Sequence, residues 1–314
     1  MMNSYELKTA IGQPEYDRGF ENYIRGKLPS HSTEKLRSEN SLPLSASCES
    51  LFEKYIKKES VFRNIATVVN NYDGADHLLV YNCDDIVQFV PEGDAIDTTD
   101  LDDDFSRVSI DRYKLASMLR VSVEFASDAT FDFETYILKR LAKNYGRAED
   151  KAFITGTGTD EPTGILHDTA GADVGVTTEA LSFDDVVSLY FSVEPRYRKN
   201  AVWLMNDTTA MALRKLKDEN GRYLWDAATD TIFGKPVLIS EYMPDADAGD
   251  KPIAFGDFSY YWFVRRSPLT VKVLKEKYLL TGQYGYLTKE FIDGKLIRSK
   301  AVKVLKIADD TADE

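Results

Sequence analysis

Apolar residues recur at helical spacing most clearly between Phe131 and Phe153. Phe133, Ile137, Leu141 and Tyr145 stand four apart and Ala148 continues the stripe. That spacing puts them on one face of an amphipathic helix. Asp128 or Thr130 is placed to cap it, and Lys139, Arg140, Lys143 and Arg147 decorate its solvated side. Tyr16, Phe20, Tyr23 and Ile24 share the same spacing inside the otherwise polar stretch from Met1 to Asn40. A short helix over Cys48 to Lys57 carries Leu51, Tyr55 and Ile56 on one face. Ser182 caps a helix over Asp184 to Phe191, with Asp185 at the capping-box position. Asp207 or Thr208 starts another, with Met211, Leu213 and Leu216 inside and Asn220-Gly221 at its end.

Between these helices the pattern shortens to that of strands: Val61 to Val69, Ala201 to Met205, Pro236 to Ser240, Ile253 to Phe255, Tyr260 to Val264 and Leu269 to Lys275. Phe291-Ile292 and Leu296 to Ile307 read as a final pair with a turn at Asp293-Gly294. Leu28 to Leu44, with Pro29, Pro43 and several serines, reads as an extended arm or linker. No internal repeat is visible.

Asp73 to Arg112 has a different character. His77 to Val90 alternates enough for one strand of a hairpin arm, with a return strand from about Phe105 to Leu119. Between them an acidic tip carries Glu92, Asp94, Asp97, Asp100, Asp102, Asp103 and Asp104. Such a tip cannot bury itself. A two-stranded ribbon is also marginally stable alone in water. It needs a surface to lie against.

Composition narrows the function. The 314 residues are 43% hydrophobic and include 18 Tyr and 16 Phe, enough for a sizeable core and for subunit contacts. The net charge of −13 disfavours gripping a polyphosphate and suits a container wall that does not hold its cargo. Two cysteines, Cys48 and Cys83, make no disulfide framework or zinc spacing, and the chain reads as built in a reducing cytoplasm. His31, His77 and His167 lack spaced metal-ligand partners. Gly156-Thr-Gly158 begins a dinucleotide fingerprint, but Glu161 stands where its third glycine belongs, and the loop follows a helix. Asp245 to Asp250 resembles a calcium loop only until position six, which holds Asp250 instead of glycine. No nucleophile elbow or phosphate loop occurs. These readings point away from an enzyme and imply no cofactor, no metal site and no membrane span.

Four blocks then carry a resemblance. Arg147–Leu166 (RAEDKAFITGTGTDEPTGIL) looks like a stretch of tailed-phage major capsid proteins. Val202–Asn206 (VWLMN) with Ala212–Trp225 (ALRKLKDENGRYLW) resembles a second family block. Phe233–Pro244 (FGKPVLISEYMP) resembles a third, and Ile253–Phe258 (IAFGDF) followed by Leu269-Thr270-Val271 a fourth. They stand in the family's order within about Leu51 to Ile307.

The resemblance implies an α+β fold of the Hong Kong 97 type. Its parts would be an N-terminal arm over 1–50, a peripheral domain over 51–72 and 113–170 with a spine helix at 131–153, and an extended E-loop at 73–112. An axial domain would span 171–288, with C-terminal strands at 289–314 returning to the peripheral domain. The implied function is a major capsid protein that self-assembles into pentamers and hexamers, enclosing phage DNA in an icosahedral virion shell built in the host cytoplasm. Portal, scaffolding protein, prohead protease and a decoration protein are the implied partners. The nearest alternative of the same fold is an encapsulin-like nanocompartment; an α/β enzyme is the alternative of another class. Asp73 to Asp111 contains no lysine for an isopeptide cross-link, so non-covalent contacts or separate decoration proteins would hold the shell. The expected contacts join the acidic tip to Lys139, Arg140, Lys143 and Arg147, or to Lys300, Lys303 and Lys306, of an adjacent subunit.

Overall fold

The computed structural model describes residues 4–27, 41–72, 75–81, 89–91, 105–128, 130–217 and 231–309, with Thr33, Leu36, Tyr223 and Trp225. Two six-stranded sheets and a separate ribbon organise it. The axis of the first sheet is the strand Gln283–Leu296. One edge pairs antiparallel with Tyr113–Ser122; the other pairs with Thr270–Leu274 and then with Tyr261–Arg265. Thr67–Asn70 adds in parallel beyond Tyr261–Arg265, and Leu42–Pro43 pairs antiparallel beyond Thr270–Leu274.

The expected turn at Asp293-Gly294 does not form: both residues lie inside the long strand. Gly294 sits there because a Cβ would come within 2.5 Å of Tyr261 Oη and 2.9 Å of the Phe153 ring. Packing, rather than turn geometry, demands the glycine. The last strand, Val302–Ile307, crosses into the second sheet. There it lies between Asp173–Thr178 and Ile253–Gly256, followed by Val202–Met205, Lys235–Ile239 and Thr231–Ile232. The first sheet therefore holds Tyr261–Arg265 and Thr270–Leu274, inside the expected axial span of 171–288, while the second sheet recruits the C-terminus.

The long helix runs over Phe133–Thr155. Its cap is Asp132, whose carboxylate accepts the Thr135 N–H at 3.1 Å. Asp128 instead folds onto Thr130 N–H and Oγ1 at 2.8 and 2.7 Å. The four-residue spacing continues from Tyr145 through Glu149 to Phe153, and Ala148 is exposed. The glycine-rich loop that follows closes the helix. Phe153 and Ile154 carbonyls, which have no partner further along the helix, accept the Ile165 and Leu166 N–H groups at 2.8 and 3.0 Å. A Cβ on Gly164 would come 2.4 Å from the Ile154 carbonyl oxygen, so only glycine permits this doubling back.

The polar N-terminal stretch is helical over Ser4–Ile11 and Pro14–Ile24. Tyr16, Phe20, Tyr23 and Ile24 bury against the Ala46–Glu59 helix, the long helix and the first sheet. Tyr16 Oη donates to the Pro43 carbonyl at 2.8 Å and Tyr286 Oη to the Ile24 carbonyl at 2.7 Å. This part of the expected arm is thus docked on its own subunit. Val61 to Val69 is not one strand either. A helical turn, Phe62–Ile65, precedes the strand Thr67–Asn70. The Asp150 carboxylate explains it, accepting the Val61 and Phe62 N–H groups at 2.8 and 3.1 Å and the Ser60 hydroxyl at 2.6 Å.

Around the second sheet, Ser182 forms the expected capping box for Phe183–Ser192. Asn206, not Asp207 or Thr208, caps Asp207–Lys215; Thr209, Ala210 and Leu213 are buried and Met211 is exposed. The expected stop at Asn220-Gly221 lies outside the described residues. A third cluster, with Phe62, Phe153, Ile165, Leu204, Ala254 and Val302, welds the two sheets through the end of the long helix.

Candidate functional site

The ribbon pairs His77–Tyr81 with Phe105–Ser109 in antiparallel register, from His77 opposite Ser109 to Tyr81 opposite Phe105. The expected single return strand breaks after Ser109. Asp111 N–H turns aside to the Asp293 carboxylate at 2.8 Å, and Tyr113–Ser122 joins the first sheet. The ribbon has little core of its own: Leu79 is 56% and Phe105 50% exposed, with the Tyr81 ring tilted against Phe105 at 5.3 Å between centroids.

Its root, in contrast, is firmly held. Arg266 pairs with Asp76 at 2.8 Å and also donates to the Ala75 carbonyl. Lys295 donates to the Ser109 carbonyl at 3.0 Å and to Asp111 at 2.8 Å. Arg298 reaches the Tyr81 carbonyl at 2.9 Å. Burial lifts the Asp293 carboxyl above the usual carboxylate range, opposed by the Asp111 N–H and Lys295. Arg266 and Lys295 thus fix where the ribbon leaves the body and Arg298 holds the far end of its paired strands; Val80 is buried, while Leu79 and Phe105 face solvent.

Beneath the long helix lies a charged network that sequence reasoning missed. Arg63 binds Glu149 through two N–H groups, each at 2.8 Å, and Glu53 at 3.2 Å; the Arg63 and Glu149 side chains are fully buried. Its guanidinium also lies 4.4 Å from the Phe263 ring centroid. Glu53 bridges to Arg265 at 3.1 Å, and Arg265 pairs with buried Glu290 and with Glu49 at 3.3 Å. Burial opposes the Arg63 charge, but Glu149 and Glu53 outweigh it and its pKa is raised. Burial likewise lifts Glu149, against the pull of Arg63. The pair is ionised, because a guanidinium keeps its proton in proteins and a neutral acid facing it would leave that charge uncompensated. The signal in the sequence was acids and arginines at core register: Glu149 four residues after Tyr145, and Arg265 ending an apolar strand.

The expected contact residues fall into three sets. Glu92, Asp94, Asp97, Asp100, Asp102, Asp103 and Asp104 lie outside the described residues. Lys139, Arg140, Lys143 and Arg147 are exposed along one side of the long helix. Lys139 lies 5.3 Å from the Tyr55 ring centroid and Arg140 approaches Tyr136 Oη at 3.4 Å. Lys300 is exposed, but Lys303 pairs with Asp173 at 3.0 Å and Lys306 with Asp309 at 2.9 Å, both on the second-sheet side. The helix stripe and the C-terminal lysines are two separate surfaces. Among the described residues, no group of three His, Cys, Asp or Glu side chains is arranged to hold a metal ion.

Known proteins share this architecture. The capsid of a native GTA particle is 34% identical, with a TM-score of 0.64 over 79% of this chain and 89% of that one. The capsid polyprotein of Pseudomonas phage PAJU2 is 29% identical over 173 residues, 51% of this chain and 25% of that protein. The major capsid protein of Escherichia phage T5 is 26% identical over 148 residues, 42% of this chain and 32% of that protein. The matched part therefore spans a quarter to a third of those two curated relatives. Residues 45–307, most of the chain and the whole span of the four sequence blocks, match the profile described as the phage capsid family, and the chain belongs to that family.

Proposed function

We propose that this chain is the major capsid protein of a tailed phage or prophage, assembling as pentamers and hexamers into an icosahedral shell around double-stranded DNA. The observation that carries the reading is the ribbon, held at its root by Arg266 and Lys295 yet exposing Leu79, Tyr81 and Phe105 along its strands. A lone subunit gains nothing from such an arm; a neighbour that covers it gains interface. Subunits that exist only to assemble commonly bury more than about 2,000 Å² between them.

In this reading the first sheet, the long helix and the docked N-terminal helices form the peripheral domain. The ribbon is the E-loop. The second sheet, 173–256 with Val302–Ile307, is the axial domain that meets its copies around the shell's five- and six-fold axes. The acidic tip from Glu92 to Asp104 lies on the Lys139, Arg140, Lys143 and Arg147 stripe of an adjacent subunit. Lys303 already has its carboxylate partner, which favours the helix stripe over the C-terminal lysines. Portal, scaffolding protein, prohead protease and decoration protein are the partners this role calls for, with assembly in the host cytoplasm.

The test is assembly against salt, followed by light scattering and electron microscopy. Screening falls to about 3 Å at 1 M salt, so tip contacts on an exposed helix should weaken steeply. Reversing Lys143 and Arg147 to Glu should stop shell formation and leave the free subunit folded. Normal shells from that variant, or assembly indifferent to salt, would refute the tip contact.

A further inference from the structure

The two faces of the ribbon differ. Side chains alternate along a strand, so His77, Leu79 and Tyr81 point one way and Leu78 and Val80 the other. The register places Phe105 and Arg107 with the first set and Val108 with the second. Every residue of the first set is exposed, whereas Val80 is buried and Leu78 and Val108 are half-buried. The ribbon of the free subunit therefore lies on its own body, with these three apolar side chains turned down. Ser106, opposite Val80, is exposed, so the first strand makes the seat at that end.

The seat is poorly filled. A cavity of about 510 Å³ lies between the strand at Leu79–Tyr81 and Tyr197, Trp262 and Arg298 of the body. Atoms that face a gap forfeit their dispersion contacts. Val80 and the hydrogen bond from Arg298 Nη2 to the Tyr81 carbonyl, at 2.9 Å, fasten this outer end. The Arg298 guanidinium is placed from below, 5.8 Å from the Tyr260 ring centroid. The root is held differently. There the Ile110 N–H donates to the Asp76 carbonyl at 2.9 Å, beside the Arg266 and Lys295 contacts. A ribbon fixed at one end and seated over a gap at the other can pivot.

We propose that this is a stowed position, that Arg298 is its latch, and that the ribbon swings up about its root to lie across a neighbouring copy. The inference rests on the shell reading and adds a control to it. A subunit with its ribbon down withholds the contact that joins it to the next. Where only a fraction of molecules is competent, apparent affinity falls by that fraction. The latch thus keeps dilute subunits apart and yields when a neighbour's surface replaces the seat.

The test is Arg298→Ala in the full chain. Trp262 lies beneath the ribbon, whereas Trp203 and Trp225 are buried in the second sheet's core. Acrylamide quenching of tryptophan fluorescence in the free subunit should therefore rise when the latch is cut. The critical concentration for assembly, read by light scattering, should fall roughly tenfold, the scale of one hydrogen bond to a charged group. Quenching equal to that of the native chain, or a critical concentration at or above the native one, would overturn the latch. If neither protein assembles at any concentration the shell reading fails, and the quenching alone still decides whether Arg298 holds the ribbon down.

Discussion

Removing Arg63 is the sharpest test of what holds the subunit together. Its guanidinium is fully buried and gives two hydrogen bonds of 2.8 Å to Glu149, itself fully buried, and one of 3.2 Å to Glu53. In Arg63→Met the apolar stem is replaced, but Glu149 is left as a buried carboxylate without its cation. Breaking a buried pair on one side costs about 3–5 kcal/mol, mostly the penalty for the charge left behind. At a urea slope of about 3 kcal/mol per M the unfolding midpoint should fall by more than ~1 M. In Arg63→Met/Glu149→Met both charges go, and apolar replacement of such pairs is often near neutral. Glu53 is partly exposed and can return to water. The double variant should therefore recover most of the loss. Far-UV circular dichroism against urea reads all three proteins. If the single variant loses under ~1 kcal/mol, or the double is no more stable than the single, the network is not the strut described here.

Four further outcomes follow from the same contacts. Gly294→Ala forces a methyl against Tyr261 and Phe153 and should cost about 1–3 kcal/mol in thermal unfolding, from overpacking at the weld between the sheets. Asp150→Ala strips the acceptor from the Val61 and Phe62 N–H groups and should cost about 1–3 kcal/mol, with faster hydrogen exchange confined to residues 60–66. Burial raises the pKa of Tyr16, Tyr145 and Tyr286, and pushes Tyr72 to about 12. The folded chain holds these protons longer than the unfolded chain, so stability is full below about pH 10 and falls as pH rises through and beyond it. Alkaline unfolding accompanied by a step in tyrosinate absorbance is the expected signature; smooth ionisation without unfolding would contradict it. Arg298→Ala loses the bond to the Tyr81 carbonyl at the far end of the paired strands, and should loosen the ribbon in hydrogen exchange while leaving the melting temperature within ~1 °C, a surface-scale effect.

Much of the fold was legible because local physics and tertiary need agreed. The Phe133–Thr155 helix and the Ser182 capping box were readable from spacing and a single cap. The misreadings share a cause: a distant partner decided the local structure. Val61 to Val69 has the β-branched look of a strand, but the Asp150 carboxylate draws its first residues into a helical turn. Asp293-Gly294 has turn chemistry, yet the dipeptide serves a strand interior, where Asp293 receives the Asp111 N–H and Gly294 makes room for aromatic rings. Met1 to Asn40 reads as polar and weakly patterned, while Tyr16, Phe20, Tyr23 and Ile24 dock the Pro14–Ile24 helix onto the core with Ile11 of the preceding helix. Of the candidate contacts, the exposed stripe on the long helix was readable because charge at the non-core register must face solvent. The prior engagement of Lys303 with Asp173 was not, since their neighbourhood depends on parallel pairing of strands distant in sequence.

The central claim is that this subunit completes itself on its neighbours. Cryo-electron microscopy of particles assembled from the full chain tests it most directly. The account predicts closed shells of five- and six-membered rings, in which the ribbon of His77–Tyr81 and Phe105–Ser109 crosses onto an adjacent subunit. A chain that stays monomeric at every concentration and salt, or shells in which each ribbon folds back onto its own subunit, would contradict it.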